Sequence, residues 1–249
     1  MGLANHVLHA LTSGADKKKH FTSAIILAAG SGSRMGTKTT KQMVVLGGVP
    51  IVVRSILAFE KSEYIDEIII AAREEEMSSY KRFSDEYGFR KVKAVVKGGD
   101  TRQESVFRAL RKLSVECDYI AIHDGARPLV TEANIADTVR AAYKYNCACA
   151  ACPSKDTVKL ASALGYIEET PDRARLWCAL TPQIFRAEIY RAAAYTAKKD
   201  GLTGTDDCSL VEALGFRIKL IDCGYENIKI TTQEDLLHAQ AILQKRSTQ

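Results

Sequence analysis

From Ser23 onward, short uninterrupted apolar runs alternate with amphipathic stretches. Ala24–Ala29 is one such run, closed by Gly30, and Ile68–Ala72 is another. Runs this short and this continuous fit strands buried on both faces, as in a parallel sheet. Val92–Val96 and Tyr119–Ile122 continue the series. Helical stretches lie between them. Pro50, favourable at a first helical position, opens one that carries Ile51, Ile56, Leu57 and Phe59. Glu74–Tyr87 reads as a polar surface helix stopped by Gly88, Gln103–Leu113 as an amphipathic helix, and Glu132–Tyr145 as a further helix. Cys147, Cys149 and Cys152, interleaved with alanines, read as a strand packed on small residues. The rhythm breaks over 153–178. Thr157, Val158 and Leu160 alternate weakly, and turns at Gly165 and Pro171 predict a hairpin-like arm leaving the main sheet. Helices resume at Ala187–Lys198, Asp206–Leu214 and Thr232–Leu243, with a strand at Arg217–Ile221. The pattern predicts an α/β fold: a Rossmann-like, mostly parallel sheet, helices on both faces and a protruding β-arm.

The chain has 249 residues, enough for a single domain over 23–249 that includes the arm at about 153–178. Residues 1–22 read as an extension, with Val7, Leu8 and Leu11 on one face of a short helix and a solvated run from Asp16 to Lys19. Flexibility is expected there. The net charge of +5 falls partly on that run, which leaves a nearly neutral body. A body of this kind lacks the concentrated basic face that nucleic-acid binding needs, but a local basic pocket for a phosphorylated small molecule remains open. No apolar run reaches the roughly 18 residues of a membrane span. The first twenty residues place their lysines after the apolar stretch, the reverse of a secretion signal. The seven cysteines lie mostly within apolar runs, as expected of free thiols in a cytoplasmic protein. The alternation at Cys147, Cys149 and Cys152 favours a strand over a metal site.

Open α/β sheets bind ligands beyond the carboxyl ends of their strands, and the informative residues cluster there. The first loop runs from Gly30 through Ser31, Gly32, Ser33, Arg34 and Met35 to Gly36, then to Lys41. Glycines let the backbone aim amides at a polyphosphate. The spacing is neither the dinucleotide fingerprint, which needs glycine where Met35 stands, nor a P-loop. Arg34 and Lys41 add two cations of the kind that stabilise charge on a transferring phosphoryl group. A tight turn with two solvated cations has the same sequence. The second loop, Gly98 to Arg102 with Ser105 one turn on, suits a ribose or base edge. It also suits plain capping by Asp100 or Thr101. The third, His123 to Pro128, offers Asp124 to a sugar hydroxyl or a metal-bound water and Arg127 to a phosphate. An internal Asp124–Arg127 ion pair is the alternative. Asp156–Lys159, Asp172–Arg173, Thr181–Gln183 and Asn227–Lys229 are weaker candidates.

As a set these segments carry a resemblance. Ala28–Gly36 with Lys41 and Gln42 looks like the signature of sugar-nucleotide pyrophosphorylases and cytidylyltransferases. His123–Pro128, Lys155–Lys159, Trp177–Gln183, Thr205–Asp207 and Asn227–Lys229 resemble the 2-C-methyl-D-erythritol 4-phosphate cytidylyltransferase family over about 23–243. The resemblance implies transfer of CMP from CTP to methylerythritol phosphate, by direct in-line attack of the substrate phosphate on the α-phosphorus. It implies catalytic roles for Arg34, Lys41 and Lys229. CTP would be bound by Ala28, Ala29, Gly30, Ser31, Gly32, Ser33, Gly98, Asp100, Ser105 and Asp124, and methylerythritol phosphate by Arg127, Thr157, Arg173 and Thr181. Mg2+ would be held mainly by the CTP phosphates, with no protein ligand assigned. The arm would cross to a second subunit in a homodimer, so that Thr157 and Arg173 serve the partner's site. Gly125 stands where the family usually has alanine, and Cys178 and Ile184 are local variants. Ribitol-5-phosphate cytidylyltransferases share the glycine loop, both cations and the Asn-Ile-Lys segment. Trp177, Asp156-Thr157 and Thr205–Asp207 favour methylerythritol phosphate. A non-catalytic nucleotide-binding regulatory domain would be expected to lack one of the cations, yet Arg34, Lys41 and Lys229 are all present.

Overall fold

The computed structural model describes residues 20–30 and 40–248, except for the side chain of Lys41. The described strands in chain order are β1 (Thr22–Ala28), β2 (Val45–Leu46), β3 (Val49–Pro50), β4 (Glu67–Ala72), β5 (Val92–Lys97) and β6 (Tyr119–Asp124). They continue with β7 (Cys147–Pro153), β8 (Leu160–Ala161), β9 (Ile167–Glu169), β10 (Trp177–Arg186) and β11 (Lys219–Asp222). The helices are α1 (Ile51–Lys61), α2 (Met77–Tyr87), α3 (Arg102–Leu110), α4 (Glu132–Tyr145), α5 (Ala187–Asp200), α6 (Asp207–Glu212) and α7 (Gln233–Ser247). Seven strands form one sheet in the order β11-β7-β10-β6-β1-β4-β5. β1 pairs in parallel with β4 and β6, β4 with β5, and β11 with β7. No helix among the described residues is long and apolar enough to cross a membrane.

The apolar runs are uninterrupted because both faces of the sheet are covered. Successive residues of β1 go to opposite sides: Ala24 and Ile26 pack with Val52, Ile56, Phe59 and Tyr80, while Ile25 packs with Val106, Leu110 and Phe185. Helices α1, α2 and α4 cover one face, and α3, α5 and α6 cover the other. The cysteine strand obeys the same period of two, with Cys147 and Cys149 facing the α5 side and Ala148 the opposite one. A smaller cluster of Leu46, Ile51, Leu129, Ile230, Ala239 and Ile242 seats α7.

The strand Trp177–Arg186 was not anticipated from the pattern, which ended the excursion at 178 and resumed at the helix beginning at Ala187. β10 lies between β6 and β7 and is antiparallel to both. Pro182 falls within it, which argues against a central strand by sequence. A register irregularity between Ala179 and Gln183 accommodates the missing donor. Boundaries shift elsewhere by a few residues. Glu74–Glu76 is a 3-10 turn before α2, Asp206 and Thr232 cap α6 and α7 instead of lying inside them, and α3 begins at Arg102 behind its Thr101 cap and ends at Leu110. The arm is a small β8–β9 hairpin, and Leu164, Tyr166 and Ile167 on it are exposed.

Candidate active site

From β1 the chain moves outward to β4 and β5, then returns to place β6 on β1's other side. The reversal opens a crevice at the carboxyl ends of β1 and β6, the position where doubly wound sheets hold ligands. Leu27 pairs with Asp124, so the two strand ends lie level. A cavity of about 440 Å³ sits there, walled by Gly30, Gly99, Arg102, Ser105, Asp124 and Lys229 among others.

Asp124 ends β6 and is buried. Its Oδ2 lies 2.8 Å from Lys229 Nζ and its Oδ1 3.2 Å from Arg102 Nε, with Arg127 Nε at 3.8 Å from Oδ2. Burial alone would raise this carboxyl. The three cations outweigh it and hold Asp124 well below the usual carboxylate range. The Lys229 side chain is 38% exposed, so its ammonium is both paired and open to the cavity. The Asn227–Ile230 segment is tied down by Asn227 Nδ2 donating to the Thr181 carbonyl at 2.8 Å and by Ile230 N–H donating to the Ala126 carbonyl at 2.8 Å.

Arg127 is buried and donates from Nη1 to the Asn227 carbonyl at 2.8 Å. Thr181 is buried too, accepting from the Asp124 backbone N–H at 3.1 Å and meeting His123 Nδ1 at 3.0 Å. His123 Nε2 reaches the Arg127 carbonyl at 3.3 Å. Burial pulls the His123 imidazole down to about 4. Arg127 and Thr181 thus stand behind Asp124 and Lys229, outside the cavity wall.

The second loop is shaped by a close approach. A side-chain carbon on Gly98 would lie 2.2 Å from Ala29 Cβ, so glycine lets this loop seat directly on the chain leaving β1. Gly98 itself is absent from the wall, which Gly99, Asp100 and Thr101 provide. Ser105 Oγ accepts from Gly99 N–H at 3.0 Å and donates to the Thr101 carbonyl at 2.9 Å. Thr101, not Asp100, is the cap, accepting from Glu104 N–H at 3.0 Å.

Of the first-loop candidates, Ala29 and Gly30 line the cavity and Ala28 is fully buried in β1. Ser31, Gly32, Ser33, Arg34 and the Lys41 side chain lie outside the described residues. Thr157 and Arg173 lie exposed on the arm and do not line the cavity of this chain. Arg173 Nη1 donates to the Lys155 carbonyl at 3.2 Å.

Gln42, Arg73 and Arg102 also line the cavity, although the sequence reading gave none of them a role. Arg73 directly follows β4, where a strand-end search would find it. Arg102 carried a stronger signal. It is the first residue of α3, where a cation opposes the helix dipole and so needs a tertiary reason. The reason is two carboxylates, Asp124 and Asp207.

Magnesium depends on the donor chemistry. Among the described residues no group of three or more His, Cys, Asp or Glu side chains converges. Both Asp124 oxygens already face cations. This set fits a cation held by nucleotide phosphates and water with at most one protein carboxylate nearby, the usual habit of Mg2+ in phosphate sites.

A crevice at the strand switch point, with Gly98 seated on Ala29 and a carboxylate fixed between cations, suits a nucleotide-handling enzyme, and the family match makes it a nucleotidyltransferase. Comparison with known proteins specifies which kind. The profile of the 2-C-methyl-D-erythritol 4-phosphate cytidylyltransferase family matches residues 22–245. The enzyme of that name from Caldanaerobacter subterraneus subsp. tengcongensis is 42% identical over 224 residues, 90% of this chain and 99% of its own. That from Desulforamulus reducens is 44% identical over 225 residues, 90% of this chain and 96% of its own. Among solved structures, 4-diphosphocytidyl-2C-methyl-D-erythritol synthase from Anaerococcus prevotii superposes with a TM-score of 0.82 at 33% identity, covering 90% of this chain and 96% of that one. The chain belongs to the 2-C-methyl-D-erythritol 4-phosphate cytidylyltransferase family.

Proposed function

We infer that the chain transfers CMP from CTP to 2-C-methyl-D-erythritol 4-phosphate, releasing pyrophosphate. Family membership supports this reading, and the structural observation that carries it is Lys229, held at 2.8 Å from Asp124 yet open to the cavity at the switch point. The substrate phosphate attacks the α-phosphorus directly, the new P–O bond forming as the bond to pyrophosphate breaks. Catalysis is then positioning and charge stabilisation. Ala29, Gly30, Ser31, Gly32 and Ser33, which follow Ala28 at the buried end of β1, take the phosphates and base. Gly98, Asp100 and Ser105 shape the base and ribose side, and Asp124 sits by the ribose. Arg34, Lys41 and Lys229 stabilise the negative charge that builds on the equatorial oxygens. Mg2+ would be held mainly by the CTP phosphates, with Asp124 the buried carboxylate of the cavity wall, and would offset their charge.

Methylerythritol phosphate is assigned to Arg127, Thr157, Arg173 and Thr181. Arg127 and Thr181 act from behind the cavity by fixing Asn227–Lys229 and Asp124. Thr157 and Arg173 act from the arm of a second subunit. Leu164 and Tyr166, 84% and 73% exposed, make an apolar arm that fits such an exchange. Both substrates are small, charged and water-soluble, which suits a cytoplasmic enzyme.

The test is pyrophosphate release with CTP and Mg2+, run with methylerythritol phosphate and with ribitol 5-phosphate. Turnover should be strongly selective for the former. Selectivity for ribitol 5-phosphate would overturn the substrate assignment, and turnover with neither would overturn the function.

A further inference from the structure

We propose that Asp207 is a positioning residue for this active site, acting through Arg102 on the Asp124 carboxylate. Asp207 is 1% exposed, opens α6 and does not line the cavity, so it cannot touch substrate. Arg102 does line it, and its guanidinium joins two carboxylates: Nε faces Asp124 Oδ1 at 3.2 Å and Nη2 faces Asp207 Oδ2 at 2.7 Å. Two contacts on different nitrogens of a planar group fix both its place and its rotation.

The anchor is itself held. The Tyr190 hydroxyl donates to Asp207 Oδ1, and Asp207 N–H donates to Gln183 Oε1 at 3.1 Å. Gln183 Nε2 donates to Asp206 Oδ2 at 2.7 Å, tying the start of α6 to β10. The Tyr190 hydroxyl thus holds one Asp207 oxygen, while the Arg102 guanidinium lies against the other as an ion pair. With its far end held by Asp207, Arg102 engages one oxygen of Asp124 and leaves the other to Lys229. Without Asp207, Arg102 keeps its charge but loses its fixed rotation. Asp124 and Lys229 then lose their geometry toward the cavity.

The kinetic readout rests on the cytidylyltransferase reading, so wild-type turnover is measured first. Asp207→Asn keeps the size of the side chain and an acceptor for Tyr190. It should lower kcat/KM about 10–30-fold, mostly in kcat. Arg102→Gln should lower it at least as much. The double variant should be no slower than Arg102→Gln alone. A merely structural Asp207 would instead multiply the two kinetic losses, and that outcome overturns the proposal. If Asp207→Asn does not fold, Tyr190→Phe takes one donor from the same carboxylate. Its loss of about 2–5-fold should vanish in the Arg102→Gln background, and an equal loss in both backgrounds overturns the proposal. Should the wild type be inert, the function reading fails separately. The same cycle is then read as CTP dissociation constants by calorimetry, with non-additivity expected and additivity contradicting the relay.

Discussion

Between pH 7.5 and pH 4.5, His123 alone should cost the fold about 2.5 kcal/mol, given its native value of about 4 against roughly 6.5 in the unfolded chain. The side chain is fully buried. Burial keeps the ring neutral, and because a carbonyl only accepts, its one proton sits on Nε2 and Nδ1 is left to accept. Asp124 N–H donates to Thr181 Oγ1, the Thr181 hydroxyl donates to His123 Nδ1, and His123 Nε2–H donates to the Arg127 carbonyl. A proton on Nδ1 would put an uncompensated charge in a fully buried ring and force the Thr181 hydroxyl to turn from donor to acceptor. Below pH 6.5 the unfolded chain therefore binds a proton that the folded chain refuses. Stability falls as pH drops toward 4 and then levels off with respect to this group. Asp124, held well below the usual carboxylate range, stays ionised throughout the window. Urea unfolding followed by circular dichroism at both pH values, on wild type and His123→Asn, isolates the term. The variant should lose about 2.5 kcal/mol less than wild type across the interval, whatever its stability at pH 7.5. Equal losses would refute the neutral, buried imidazole and the hydrogen-bond chain built on it.

Lys229→Ala should lower kcat about 10²–10³-fold with a modest change in KM, as expected for a charge used mainly in the transition state, measured by steady-state pyrophosphate release. Mixing inactive Lys41→Ala with inactive Arg173→Ala protein should restore partial activity, because one hybrid site then has both groups. No recovery after verified subunit exchange would count against arm exchange. Gly98→Ala should destabilise the fold by about 1–3 kcal/mol and weaken CTP binding, since the added carbon pushes the second loop off Ala29. Thermal melts and CTP titration check both effects.

The parallel core was legible because its strands are covered on both faces, leaving Ile25, Ile69 and Ile120 no polar neighbours to blur the pattern. β10 was hidden for the opposite reason. Its first residues, Trp177 to Ala179, are exposed at the root of the arm, Thr181 to Phe185 are buried, and Pro182 falls within the buried stretch. Among the candidates, Asp124 was legible as a strand-end charge and Lys229 through the family resemblance of Asn227–Lys229, but not as a pair, since over a hundred residues separate them and only the β6 and Asn227–Ile230 contacts join them. Arg102 and Asp207 were present in noticed segments. Their role depends on a tertiary contact that neither local periodicity nor capping encodes.

Direct displacement at the α-phosphorus makes a prediction that can be read from the product. Turnover of one diastereomer of CTP carrying sulfur on the α-phosphorus, with methylerythritol phosphate as acceptor, should give a product of inverted configuration by 31P NMR. Inversion is the result of a single in-line step by the substrate phosphate. Retention would require a covalent enzyme intermediate and would contradict a site that works by positioning and charge alone.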